Sequence, residues 1–117
     1  MKRKVLCVCI GGTVRSVGIK DVLNGNHGCD ALAASAIWQS PDTMWMLCTW
    51  ADLIVPVEPR SLPKGPRQYE KQWMECAMWE REFAAKRKVL DLGPDVWGNA
   101  RDAALQQIIH ARIKEIL

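Results

Sequence analysis

Lys4-Val5-Leu6-Cys7-Val8-Cys9-Ile10-Gly11-Gly12-Thr13-Val14-Arg15-Ser16 is the stretch whose reading decides the fold. Residues 4–10 form a β-branched-rich run, unbroken apolar from Val5 onward, the pattern of a strand covered on both faces in a parallel sheet. Gly11-Gly12 ends that strand. Residues 15–23 then read as a helix stopped by Asn24-Gly25. A glycine-rich turn running from a strand into a helix N-terminus gathers backbone N–H groups in one concavity, and the helix dipole adds partial positive charge. Such a nest suits a tetrahedral oxyanion. Arg15 supplies a planar two-pronged donor to it, and the same field favours a thiolate at Cys9. A thiolate beneath a phosphorus atom is a poised nucleophile, and the Ser16 hydroxyl is placed to donate to its sulfur. The competing reading of Cys9 is an ordinary buried core cysteine. Cys-x5-Arg gains its specificity from the strand before it, the glycines within it and the serine after it.

Downstream, residues 29–35 (CDALAAS) read as a second strand, with alanine weakening the signal. Ser40 as N-cap and Pro41 at the first helical position open a helix through about Trp50. Residues 51–57 (ADLIVPV) are a third strand, with Pro56 expected at its end because proline cannot donate to a ladder. Residues 60–66 are a turn-rich connection, and residues 67–86 a helix carrying Tyr69, Trp73, Cys76 and Glu80 at helical spacing. Residues 88–92 (KVLDL) read as a short strand, 93–99 as a loop, and 100–117 as an amphipathic helix with Leu105, Ile108, Ile109, Ile113 and Ile116 on one face. The alternation β-α-β-α-β-α-β-α describes an α/β sandwich around a parallel sheet, with ligands expected at the carboxyl ends of the strands.

The chain has 117 residues, the size of one domain (1–117), and at 49% hydrophobic and 25% charged it has the material for a core. A net charge of +3 is too small for a nucleic-acid reading without a clustered basic patch. No apolar run approaches the roughly 18 residues of a membrane span, and the apolar stretch after Lys2-Arg3-Lys4 is too short for an export signal. Five cysteines, an odd number with no CxxC, disfavour both a disulfide scaffold and a zinc site, and a reducing cytoplasm fits them best. Cys7 shares a strand face with Cys9 and is read as packing. His27 and His110 read as surface residues, and Lys2-Arg3-Lys4 and Lys86-Arg87-Lys88 as solvated strand entries.

A cysteine phosphatase also needs an acid to protonate the leaving oxygen, worth about a hundredfold or more in rate. Asp95, in Pro94-Asp95-Val96-Trp97-Gly98-Asn99, follows the last strand and is the candidate. Asp91, inside that strand, is the competitor, and a solvated turn residue is the alternative role for Asp95.

Residues 5–16 resemble the N-terminal signature of the low-molecular-weight protein tyrosine phosphatases, in which a hydrophobic strand leads to V-C-x-G-N-x-x-R-S. Ala34-Ser35-Ala36 looks like that family's Ser-Ala-Gly segment, Trp50-Ala51-Asp52-Leu53-Ile54-Val55 like its third-strand entry, and Pro94-Asp95-Val96-Trp97 like its late P-D-P-[YW] loop. The resemblance implies a three-layer sandwich with a four-stranded parallel sheet of order 2-1-3-4 flanked by helices. It implies metal-free, cofactor-free hydrolysis of phosphomonoesters through a phosphocysteine intermediate. Cys9 is then the nucleophile, Arg15 the phosphate clamp, Ser16 the thiolate partner and Asp95 the acid and later base. Ile10, Gly11, Gly12, Thr13 and Val14 line the phosphate loop, and Trp97 and Trp38 are aromatic walls that suit an aryl phosphate or a phosphorylated protein.

Several positions depart from the family pattern: Gly12 replaces its loop Asn, Val14 its second cysteine, and Val17 and Val96 its prolines. These departures motivate an alternative of another class, a non-catalytic phosphate- or phosphoprotein-binding module. Related arsenate reductases add a cysteine pair on a later helix, where this chain has Cys76 alone.

Overall fold

The computed structural model describes residues 2–9, 14–35, 39–57, 81–93 and 96–117. Strand β1 (Lys4–Cys9) is central. It pairs in parallel with β2 (Asp30–Ser35) from Lys4↔Asp30 to Cys9↔Ser35, and with β3 (Leu53–Pro56) from Val5↔Leu53 to Val8↔Pro56. The order is β2-β1-β3. Successive side chains of β1 point to opposite faces, so both faces need apolar residues and the run is continuous. Val5, Cys7 and Cys9 face helix α1 (Arg15–Asn26) and helix α3 (Ala103–Arg112), joining Ile19, Val22, Leu23, Leu105 and Ile109 in one core. Leu6 and Val8 face helix α2 (Pro41–Trp50), joining Met44 and Cys48 in the other. The protein is thus α/β, with a parallel sheet and helices on both of its faces.

The capping signals act as expected. The Ser40 hydroxyl accepts the Thr43 N–H at 3.2 Å, and α2 begins at Pro41. At its other end the reading of Lys86 as a solvated strand entry is overturned: its Nζ donates to the Cys48 and Thr49 carbonyls at 3.1 and 3.3 Å, placing a cation at the negative end of the helix. Helix α3 starts later than the expected residue 100. Asp102 is its N-cap, accepting from the Ala104 and Leu105 N–H groups at 2.9 and 3.2 Å, and a 3-10 turn at Ile113–Glu115 continues it.

Two further expectations need correction. Asn24-Gly25 does not stop α1, which runs on to Asn26 and turns out through Gly28 at φ +63°. The Asn24 carboxamide is used elsewhere: it accepts from Ala31 N–H at 2.7 Å and donates to the Ala31 carbonyl at 3.2 Å, covering the outer edge of β2. Residues 88–92, expected as a strand, are not one. They do run along β3, with Lys88, Leu90 and Leu92 donating to the carbonyls of Ile54, Pro56 and Val57 at 2.9, 2.9 and 2.8 Å, beside a lone parallel bridge between Ile54 and Arg87. The return bond to the Lys88 carbonyl would have to come from residue 56, a proline with no N–H, so the pairing cannot continue as a regular ladder past the bridge. Of the expected helix at 67–86, only residues 81–86 are described; Ala84–Lys86 form a 3-10 turn.

Gly18 is where α1 meets α3. A Cβ there would lie 3.0 Å from Ile109 Cδ1, 3.3 Å from the Ala100 carbonyl oxygen and 3.4 Å from Leu105 Cδ2. Gly18→Val is therefore expected to lower stability by about 2 kcal/mol through overpacking, read as a fall in the denaturation midpoint. A midpoint at or above wild type would show that the two helices part without cost.

Candidate functional site

The carboxyl end of β1 brings the motif residues together. Cys9 ends the strand, Arg15 and Ser16 open α1, and Cys9 Sγ lies 3.0 Å from Ser16 Oγ. Both groups are buried, with Cys9 4% and Ser16 0% exposed, so the contact is made away from bulk water. A hydroxyl at this distance donates to a thiolate, or accepts from a thiol. No carboxylate lies in the first turn of α1 and its N-cap, Val14, has no side-chain acceptor, so α1 itself carries no side chain that offsets the positive end of its dipole.

Arg15 is 2% exposed, which for a guanidinium demands polar partners. Its Nη1 donates to the Gly93 carbonyl at 2.7 Å, across 78 positions of sequence. Gly93 adopts φ +73°, a left-handed conformation natural to glycine, and its N–H donates to Asp91 Oδ1 at 2.9 Å. Arg15 is thereby tied to the residue two before Asp95. Ser35, the register partner of Cys9, is also buried, and its N–H donates to Gln39 Oε1.

Trp97 is half-buried and packs against the core that holds Cys9, as does Val14. The Trp97 indole N–H is buried and has no acceptor among the described residues. Ile10, Gly11, Gly12, Thr13, Trp38 and Asp95 lie outside the described residues, as does Cys76. Asp91, the competitor of Asp95, is exposed and engaged with Gly93 N–H rather than pointing across the sheet.

Cys7 takes the packing role expected of it. Burial pushes its thiol far up, with Cys29 and Cys9 adding to the effect, so it stays protonated. Cys7, Cys9, Cys29 and Cys48 are all unbridged. Among the described residues no three His, Cys, Asp or Glu side chains converge as a metal site, and no helix is long and apolar enough to cross a membrane.

The sequence reading missed Gly93, and a signal for it was present. Asp91-Leu92-Gly93 has the Asp-x-Gly spacing of an Asx turn, directly ahead of the Pro94-Asp95 pair. Compared with family models, curated proteins and solved structures, the chain matches none.

Proposed function

We propose that the protein is a cysteine-dependent phosphoric monoester hydrolase resembling the low-molecular-weight protein tyrosine phosphatases. The observation that carries this reading is the buried 3.0 Å contact between Cys9 Sγ and Ser16 Oγ at the start of α1, with Arg15 beside it. A core cysteine needs no hydroxyl partner, whereas a thiolate that must attack and later leave gains from one.

In the first step the Cys9 thiolate attacks phosphorus. A P–S bond forms as the P–O bond to the leaving group breaks, and the Asp95 carboxyl proton passes to the departing oxygen. Water then attacks the phosphocysteine, Asp95 takes a proton from it, and the P–S bond breaks. The Ser16 hydroxyl stabilises the sulfur anion as it leaves. Arg15 and the amides of residues 10–16 hold the phosphoryl oxygens throughout, where charge builds in the transition state. Neither a metal nor an organic cofactor enters this scheme. The bond from Arg15 to Gly93 supports the role given to Asp95, because it fixes the root of the segment that bears it.

Residues 88–92, running along β3, take the place of the fourth strand in the order 2-1-3-4. The aromatic Trp97 beside this core favours an aryl phosphate or a phosphotyrosine in a protein as substrate, and an unbridged nucleophile favours a reducing, cytoplasmic setting.

Acid quenching during turnover of p-nitrophenyl phosphate, followed by peptide mass spectrometry, tests the scheme. Phosphate is expected on the peptide containing Cys9, in greater amount for Asp95→Asn. Turnover with phosphate on another residue, or no turnover at all, removes the phosphocysteine mechanism.

The 4% exposure of Cys9 favours a second reading, a phosphate- or phosphoprotein-binding module without turnover. Inorganic phosphate raising the melting temperature while no nitrophenol is released, even at high protein concentration, decides for it.

A further inference from the structure

Arg15 is held by a turn, and the turn is held by a carboxylate. The Asx bond from Gly93 N–H to Asp91 Oδ1 and the positive φ of Gly93 set the carbonyl that receives Arg15 Nη1. At the other end of the same segment, the Asp91 carbonyl accepts from Arg112 Nη1. Glu115 grips the remaining edge of that guanidinium, with Nε and Nη2 donating at 2.7 and 2.9 Å. Residues 91–93 are therefore anchored to one guanidinium through their first carbonyl and to another through their last.

We propose that Asp91 and Gly93 are positioning residues for the Arg15 anion clamp, their turn fixing the guanidinium for a bound phosphate. The proposal rests on the phosphatase reading above and adds to it residues that touch neither the sulfur nor the anion. An arginine side chain has several rotatable bonds, and a clamp works only when they are held near the productive geometry. At 2% exposure Arg15 has little water to replace a lost carbonyl, so loosening the turn shifts the head instead of solvating it. The Asp91 side chain is itself exposed, so changing it removes little packing.

Inorganic phosphate is the probe, measured as a competitive inhibitor of p-nitrophenyl phosphate hydrolysis and by tryptophan fluorescence titration. Asp91→Ala is expected to weaken phosphate binding roughly tenfold and to raise KM with it, since a displacement of about an ångström is costly at such a site. Asp91→Asn keeps an Oδ1 acceptor for Gly93 N–H and is expected to restore binding. Gly93→Ala, strained at φ +73°, follows Asp91→Ala. Asp91→Ser, whose hydroxyl accepts the same bond less well, stands in should the alanine variant fail to fold.

Wild-type phosphate affinity in the folded Asp91→Ala protein overturns the proposal. So does an Asp91→Asn protein as impaired as Asp91→Ala, because a charge or a proton, as for an acid catalyst, would then matter in place of the turn. A wild type that neither binds phosphate nor releases nitrophenol overturns the phosphatase reading, and this proposal with it.

Discussion

Cys9→Ser is expected to lower the turnover of an aryl phosphate by about 10⁴-fold or more while leaving phosphate binding in place. Serine keeps the shape of the side chain but not the sulfur nucleophile, and a hydroxyl cannot form the covalent intermediate at a useful rate. Its stability cost is small, about 1 kcal/mol, because the new hydroxyl inherits Ser16 Oγ as a hydrogen-bond partner. Cys7→Ser is the matched control. Cys7 projects from the same face of β1 into the same core and is 0% exposed, and its thiol stays protonated. A hydroxyl there replaces an apolar packing group, at a cost of about 1–3 kcal/mol with kcat unchanged. Thermal melting and nitrophenol release on the two proteins separate the roles. If Cys9→Ser behaves like Cys7→Ser, destabilised but fully active, Cys9 is a core cysteine and the enzyme assignment falls.

How much of this was legible in sequence depends on how far each contact reaches along the chain. The Cys9–Ser16 pair is seven residues apart, joined by a strand end and a helix start, so a local motif anticipates it. Strand β1 is legible for a similar reason: burial on two faces demands apolar residues at every position, and a run from Val5 to Cys9 meets that demand without reference to distant parts. The misses are tertiary. Asn24 carries an ordinary helix-stop signal, yet its side chain finds a better use along the outer edge of β2, so the helix passes through it. Residues 88–92 have strand composition, and Pro56 on the neighbouring strand lacks the N–H that would return a bond to the Lys88 carbonyl. The partner of Arg15 lies 78 positions away, on a carbonyl whose direction is set by a left-handed glycine. Backbone acceptors leave no mark on residue identity, so such a bond is readable only through the Asp91-x-Gly93 spacing that builds its turn.

Arg15→Lys carries the second large effect. Lysine retains the positive charge but loses the planar fork, and one compact ammonium cannot hold the Gly93 carbonyl and also span two oxygens of a phosphoryl group. A loss of about 10²–10³ in kcat/KM is expected, the scale seen when one preorganised donor to a developing oxyanion is removed. Arg15→Ala adds a stability loss of about 1–2 kcal/mol, because the Gly93 carbonyl loses its donor and the stem of a 2%-exposed side chain leaves a void. Kinetics and denaturant unfolding on both variants distinguish a clamp from a structural tie. A clamp makes Arg15→Lys nearly as inactive as Arg15→Ala while it remains more stable. A tie makes activity follow stability, with the lysine protein close to wild type in both. A double-mutant cycle with Asp91→Ala completes the argument: once the guanidinium is gone the turn has nothing left to position, so adding Asp91→Ala to Arg15→Ala should cost little further phosphate affinity. Additive losses would mean that Asp91 acts on the anion by another route.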